Sequence, residues 1–356
     1  MKFSQRLWAT ADQGDANSVE TAYQRVALVG CGQRFAVSVA PTLALAKASV
    51  VLATDPDPEA RSKVASIAPC VSDLILAASL SRQQLIETGA QAIIISSPSG
   101  LHFEHCMIAL SCRLPTFVEK PIACTAPDAA ALQAASQGRL VASEQRVYRE
   151  DLGYVRSVIE SGALGEISEL HYHDSVIPAP HFNRTWRNDP QLAGGGVLLD
   201  LGYHTVGCVQ WLLDLKSEDL VVTGARLTTS GLQVEDAAEV FCQAGDIKIG
   251  LDIRLVRLAP REVIVIRGSR GELRMHRERR TRSAMADISF ALNGESPCRF
   301  AVPLEQQIDS KSLLDFLRGR TDADRLDRHI EALEFIEQAY ECSRFYPRQK
   351  GCAQCN

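Results

Sequence analysis

The first thing this chain lacks is an excess of positive charge. It has 38 Lys and Arg against 43 Asp and Glu, a formal net charge of −5. With no cationic surplus to neutralise a polyphosphate backbone, nucleic acid is excluded as the main partner. A membrane-length apolar run is also missing: the longest candidate, Val197 to Leu213, carries Asp200 and His204. The opening residues have no continuous apolar core of the kind a secretory signal needs. Repeats and low-complexity segments are absent, and 46% apolar with 23% charged residues matches a folded globular chain. These absences predict a soluble, cytoplasmic protein with neither nucleic acid nor membrane as partner.

A disulfide framework is lacking as well. The 11 cysteines are odd in number, and Cys106, Cys112, Cys208 and Cys242 sit in apolar runs, where a reduced cysteine behaves as a small hydrophobe. Cys352 and Cys355 form a C-x-x-C pair, but no second pair or His pair completes a tetrahedral zinc site. The pair reads as part of a tail, and no metal is expected.

What is present is a change of rhythm. At 356 residues the chain has room for two domains. Residues 1–24 are polar and aperiodic and read as an extension. From Arg25 onward, short β-branched runs (Val26–Val29, Ser49–Ala53, Ala92–Ser96, Thr116–Val118, Leu140–Ala142) alternate with segments of helical spacing. That alternation predicts a Rossmann-type doubly wound parallel sheet over 25–147. Residues 148–347 differ. A helix at Leu152–Ser161 leads to a Gly194-Gly195-Gly196 run, and extended segments then follow one another from about Leu220 to Ile266. Strand after strand predicts an open, mostly antiparallel sheet in an α+β domain. A final helix carries Leu326, Ile330, Leu333, Ile336 and Tyr340 on one stripe, and 348–356 form the tail. The run His276 to Arg282, interrupted by Glu278, reads as a solvated strand end or loop.

The candidate chemistry lies at strand ends. The first strand runs into Gly30-Cys31-Gly32-Gln33-Arg34-Phe35-Ala36. Glycines there permit a tight turn and close backbone approach, and helix N-terminal amides favour a pyrophosphate. Phe35 stands where a third glycine is usual, with Ala36 as the candidate small residue between helix and strand. Asp55 ends the second strand about 20 residues downstream, the position of a carboxylate that accepts ribose hydroxyls. It favours NAD, with Asp57 adding negative charge, while Arg34 leaves NADP open. Ser97-Pro98 and Glu119-Lys120-Pro121 end two further strands on the same edge. That topology places Lys120 beside the cofactor, where it can hydrogen-bond a substrate oxygen, and Pro121 is a candidate cis residue. On a helix, Asp200 and His204 at i, i+4 share a face. They read either as a self-satisfied buried pair or as an acid/base group with a carboxylate that orients it or the substrate.

Taken together, the Gly30-x-Gly32 turn, Asp55, Ser97-Pro98 with His102, Glu119-Lys120-Pro121 and the triple glycine with Asp200-x-Gly202-x-His204 resemble the Gfo/Idh/MocA family. The resemblance runs from about Arg25 to Tyr346. It implies that Lys120, Asp200 and His204 match the family's active-site Lys, Asp and His. It implies a cofactor cradle of Gly30, Gly32, Gln33, Arg34, Phe35, Asp55, Ser97, Pro98, His102, Glu119 and Lys120. Tyr148, His181, Asn183, Trp186 and Arg187 fall in segments that, by the resemblance, border a substrate pocket. The open sheet is implied as an oligomer interface, so a homodimer or homotetramer is expected. The expected activity is NAD(P)-dependent hydride transfer at a secondary alcohol or ketone of a small hydroxylated molecule such as a sugar, cyclitol or polyol. The alternatives are an enzyme that recycles hydride on bound NAD, as in epimerisation, elimination or glycoside cleavage, and a dinucleotide-binding sensor.

Overall fold

The short apolar runs of the N-terminal half become the strands of one parallel sheet. The computed structural model describes residues 22–143, 146–279, 285–303, 308–320 and 326–343. The extension before residue 22, Arg280 to Arg282, Tyr346 and the Cys352/Cys355 tail lie outside the described residues. Strands β1 (Arg25–Val29), β2 (Ser49–Thr54), β3 (Cys70–Ala77), β4 (Ala92–Ile95), β5 (Thr116–Val118) and β6 (Leu140–Ala142) pair in the order β3-β2-β1-β4-β5-β6. Helices α1 (Ala40–Ala46), α2 (Pro58–Ile67), α3 (Arg82–Glu87), α4 (His102–Ser111) and α5 (Ala126–Ser136) connect them. Central strands such as β4 are buried along their whole length, which is why they read as unbroken apolar runs rather than alternating ones. The sequence pattern predicts five of these strands. The sixth, β3, lies at the sheet edge, and its exposed Ser72 and Asp73 break the apolar signal.

The second domain contributes α6 (Glu150–Glu160), β7 (Ile167–Val176), α7 (Pro190–Ala193), α8 (Tyr203–Leu213), β8 (Val221–Thr228), β9 (Ala237–Ala244) and β10 (Ile247–Leu255). β11 (Arg261–Gly268), β12 (Gly271–Glu278), β13 (Met285–Leu292) and β14 (Cys298–Pro303) follow. Its sheet has the order β14-β13-β12-β11-β7-β10-β9-β8, antiparallel throughout except where β10 runs parallel to β7. Alternation is visible along β9, where Ala238, Val240, Cys242 and Ala244 are buried while Phe241 and Gln243 face out. One face therefore packs on helices and the other stays open.

The C-terminal helices lock the two halves together. α9 (Ile308–Leu317) returns to the first domain, where the Phe316 ring lies 5.6 Å from Phe117 and 5.3 Å from Tyr23. α10 (Leu326–Cys342) lies against α5, α8 and β8, and its Glu337 accepts the Ala126 backbone N–H at 2.8 Å. A fully buried ring such as Phe316 contributes roughly 1.5–3 kcal/mol. No described helix is long and apolar enough to cross a membrane.

Candidate active site

The topological switch point lies between β1 and β4, where the strand order reverses, and the candidate residues gather at the C-terminal ends of those strands. Gly30 has φ +88°, and a β-carbon there would lie 2.6 Å from the Ser96 backbone, so the fold itself demands glycine. A β-carbon on Gly32 would meet no atom within 4 Å. The missing side chain at 32 thus leaves open space over the turn, as a bound pyrophosphate requires. Asp55 accepts backbone N–H bonds from Cys31 (2.8 Å) and Asp57 (2.9 Å), tying the end of β2 to the glycine turn. Each carboxylate oxygen keeps a lone pair for a ribose hydroxyl. Arg61, which the sequence reading passed over, donates to the Asp55 carbonyl oxygen.

Several members of the expected cradle take other roles. The Phe35 ring is buried in the core rather than lining the turn, and Ala36 is exposed rather than wedged between helix and strand. The reason is the i→i+5 turn over Phe35–Val39, which absorbs an extra residue and rotates Phe35 inward. The Asp57 carboxylate caps α2, accepting the Glu59 N–H at 2.9 Å. Gln33 is exposed on the turn and Pro98 half-buried after β4. His102 is buried, with Nδ1 2.7 Å from the Pro121 carbonyl oxygen and Nε2 2.9 Å from that of Ser97. Its polar atoms are spent bracing two loops instead of facing a ligand. Ser97 Oγ sits 2.9 Å from His105 Nδ1, and Arg34 Nε donates to Glu119 at 2.7 Å.

Lys120 and Asp200 meet. The Lys120–Pro121 peptide is cis, and the Lys120 ammonium donates to both Asp200 Oδ1 and the Asp200 carbonyl oxygen, each at 2.7 Å. Arg187 Nε lies 3.6 Å from the other carboxylate oxygen. Desolvation pushes the Asp200 carboxyl up, but Lys120 and Arg187 outweigh it and hold the group below the usual carboxylate range. Asp200 and His204, which the sequence leaves either as a self-satisfied pair or as an acid/base group with an orienting carboxylate, do not hydrogen-bond each other. Another i→i+5 turn, Leu198–Gly202, widens the register between them, and among the described residues no side chain hydrogen-bonds the His204 ring. Desolvation and the positive charges of Lys120, Arg146, Arg279 and Arg34 hold His204 well below the usual histidine range. Both influences favour the neutral imidazole over the imidazolium.

The triple glycine is explained by crowding. A β-carbon on Gly194 (φ +76°) would collide with Cys124, and one on Gly196 with Glu235. Glu235, absent from the sequence-based candidates, is buried and accepts N–H bonds from Gly196 (2.9 Å) and Leu198 (3.1 Å), plus the Tyr340 hydroxyl at 2.8 Å. It fixes the start of the helical segment that carries Asp200 and His204. In the sequence it stands beside Asp236 in a loop, with no periodic signal to mark it.

Beside Asp200 opens a shallow cleft walled by Phe182, Trp186, Arg187, Gly196, Asp200 and Leu255 among others. Trp186 and Arg187 both line this cleft, with the guanidinium 4.4 Å over the indole ring. Phe182 was missed. His181 and Asn183 point to solvent on the same loop and do not line the cleft. Tyr148 lies against Lys311 of α9, 5.0 Å from its ring centre, and also stays outside the cleft wall.

Behind His204 lies a charge lattice that the sequence reading did not anticipate. Arg146 pairs with Asp174 (2.5 Å), and Arg149 with Glu262 (2.8 Å) and Asp151 (2.5 Å). The Tyr172 hydroxyl donates to Glu262 at 2.5 Å, and Thr205 Oγ1 to Asp174 at 3.2 Å. Arg277 and Arg279 belong to it too: Arg279 is 2.8 Å from Asp174, and Arg277 is 3.5 Å from Glu262. The described part of the run His276 to Arg282 is thus largely the end of β12, with two arginines aimed at buried acids rather than at solvent. Glu262, a charge at the head of the apolar run of β11, was the available signal.

Two family models match the chain. "Oxidoreductase family, NAD-binding Rossmann fold" covers residues 24–143, and "GFO/IDH/MocA C-terminal domain" covers residues 153–274. Among curated relatives, a putative UDP-kanosamine synthase oxidoreductase subunit of Amycolatopsis mediterranei (strain S699) is 29% identical over 61% of this chain and 64% of its own length. The rhizopine catabolism protein MocA of Rhizobium meliloti is 26% identical over 64% and 69%. An inositol 2-dehydrogenase of Gluconacetobacter diazotrophicus is 26% identical over 42% and 43%. The chain thus spans between 43% and 69% of the length of these relatives. Among solved structures, a 3-ketoreductase from Actinomadura kijaniata, in complex with NADP and TDP-benzene, superposes with a TM-score of 0.76 at 19% identity, covering 90% of this chain and 98% of that one. An aldose–aldose oxidoreductase from Caulobacter crescentus gives 0.73 at 18%, covering 89% and 97%. At these identities the likeness is one of fold.

Proposed function

The chain belongs to the Gfo/Idh/MocA family, and from that premise we propose that it is a cytoplasmic NAD(P)-dependent oxidoreductase acting on a secondary alcohol or ketone of a sugar, cyclitol or related polyol. The observation that carries the reading is the Lys120 ammonium, held at 2.7 Å by two Asp200 oxygens at the cleft edge. The nicotinamide, when bound, supplies hydride acceptance or donation. The protein's own task is placement and proton handling.

A substrate hydroxyl seated between Lys120 and His204 meets a donor and an acceptor. Neutral His204 takes the hydroxyl proton as general base, while the Lys120 ammonium steadies the developing alkoxide. In the reductive direction the same groups polarise the carbonyl and return the proton. Asp200 aims Lys120, and its half-exposed carboxylate can accept a bond from a neighbouring hydroxyl. Gly30, Gly32 and Asp55 hold the dinucleotide, with Arg34 and Arg61 as the cations near the ribose end. We also carry forward a homodimer or homotetramer. Phe241 and Val221, 54% and 59% exposed on the open sheet face, support it, and sedimentation velocity reads it directly.

The test is absorbance at the NADH band with NAD or NADP and a pool of sugars, cyclitols and sugar acids. Wild type and Lys120→Ala are run in parallel, with a separate cofactor titration. A signal in wild type that Lys120→Ala loses while still binding cofactor supports the assignment. Equal turnover by the two proteins sinks it.

A further inference from the structure

The chain as a whole is acidic, yet the centre of the site is not. Lys120 and Arg187 share one carboxylate, Asp200. Behind them, four guanidiniums (Arg146, Arg149, Arg277, Arg279) face three acids, Asp151, Asp174 and Glu262. Arg34 and Glu119 balance. Each of the first two groups thus holds one more cation than anion among the described residues, in a protein of net charge −5.

Of these cations Arg187 is the one turned toward the cleft. Its partner Asp200 is already claimed by Lys120 at 2.7 Å, which leaves Arg187 a looser contact at 3.6 Å. No other described acceptor meets its guanidinium. Stacking on Trp186 fixes the plane of the group and leaves its edge donors available, the arrangement that suits bidentate binding of a carboxylate or phosphate. A hydroxyl needs only a neutral partner, whereas a half-exposed, pre-oriented guanidinium in a cationic cleft is matched by an anion.

We propose that the substrate carries an anionic group, carboxylate or phosphate, and that Arg187 is the specificity residue that binds it. This rests on the oxidoreductase reading of the same cleft. An anion held by Arg187 leaves the hydroxyl being oxidised to Lys120 and His204, so charge recognition and proton transfer are divided between different residues.

The experiment compares glucose, glucuronate, glucose 6-phosphate and uridine diphosphate glucose, each with cofactor-loaded wild type, Arg187→Gln and Arg187→Lys. Initial rates are read by nicotinamide absorbance, and folding is checked by thermal melts. The expected result is a charged sugar favoured over glucose by about 10- to 100-fold in kcat/KM. Arg187→Gln should erase that preference mainly through KM, with cofactor affinity little changed, and Arg187→Lys should restore part of it. The carboxylate and phosphate arms say which anion is meant. Preference for neutral glucose, or a charge preference that survives in Arg187→Gln, overturns the proposal. If no sugar turns over, the oxidoreductase reading is what has failed in this panel, and anion binding is then read separately from tryptophan fluorescence, with Trp186→Phe identifying the share that comes from the cleft. Saturable quenching by glucuronate or glucose 6-phosphate but not glucose, lost in Arg187→Gln, sustains the anion site. No response, or an equal response in the variant, refutes it.

Discussion

Two clusters built from the same chemical groups sit on either side of His204, and they do opposite things. In the open one, the Asp200 side chain is 50% exposed and shared between Lys120 and Arg187. In the sealed one, Asp174 and Glu262 are 0% exposed. There Glu262 receives Arg149 on both oxygens at 2.8 Å, and Tyr172 at 2.5 Å. A buried acid with its lone pairs filled cannot exchange partners. It fixes the junction of β7, β11 and the segment entering α6, and acts on chemistry only through its field. A half-exposed acid holding an ammonium can trade that partner for a substrate. Accessibility, rather than residue type, separates the structural charge from the charge proposed to be catalytic.

The largest expected effect breaks the sealed cluster. Arg149→Met leaves Glu262 and Asp151 short of a counter-charge in the interior, so urea or guanidinium unfolding should show a loss of about 3–5 kcal/mol. A variant as stable as wild type would mean the lattice does not hold the domain together. Next comes the open cluster. Lys120→Ala should lower kcat about 10²- to 10³-fold, while stability changes by about 1 kcal/mol or less, because the ion pair is partly exposed. Equal loss of stability in the two variants would erase the contrast between the clusters.

The sequence exposed the open cluster and hid the sealed one for a physical reason. Lys120, Asp200 and His204 lie in motifs with glycine and proline punctuation at strand and helix ends, so their neighbours in sequence mark them. The lattice is assembled from residues far apart in the chain, Arg146 through Arg279, each carrying one charge in an otherwise ordinary segment. The fold shows the same division. The parallel strands with continuous apolar runs were legible, whereas the edge strand β3, the charged strand β12 and the partly exposed strands β13 and β14 were not, because exposure diluted their pattern. Register was the other blind spot. The turns at Phe35–Val39 and Leu198–Gly202 follow i→i+5 spacing, and no composition signal distinguishes them from α-helix. That is why Phe35 faces the core and Asp200 pairs with Lys120 instead of His204.

The comparison sharpens at the point where the two clusters meet. Thr205, next in sequence to His204, donates to Asp174 of the lattice at 3.2 Å, so the histidine stands at the boundary. Desolvation and four cations depress its proton affinity, and the acid limb of kcat/KM assigned to it should therefore lie below the ordinary histidine range. The sign for stability follows. As pH falls below about 6.5, an unfolded histidine takes its proton first. The folded state then loses stability, from the unfolded value down to the lowered native one. An acid limb at or above the ordinary histidine value would contradict the field argument.

The smallest effect isolates the field itself. Arg279→Gln removes one of the cations acting on His204 and leaves Asp174 and Glu262 less compensated. Both changes favour the imidazolium, so the acid limb should move upward while Lys120, Asp200 and the cofactor turn are untouched. Arg187→Gln serves as the control on the open side, because the cations that depress His204 most are Lys120, Arg146, Arg279 and Arg34. It should change substrate affinity and leave the limb in place. If both variants shift the limb equally, the two clusters are electrostatically one, and the separation between structural and catalytic charge does not hold at His204.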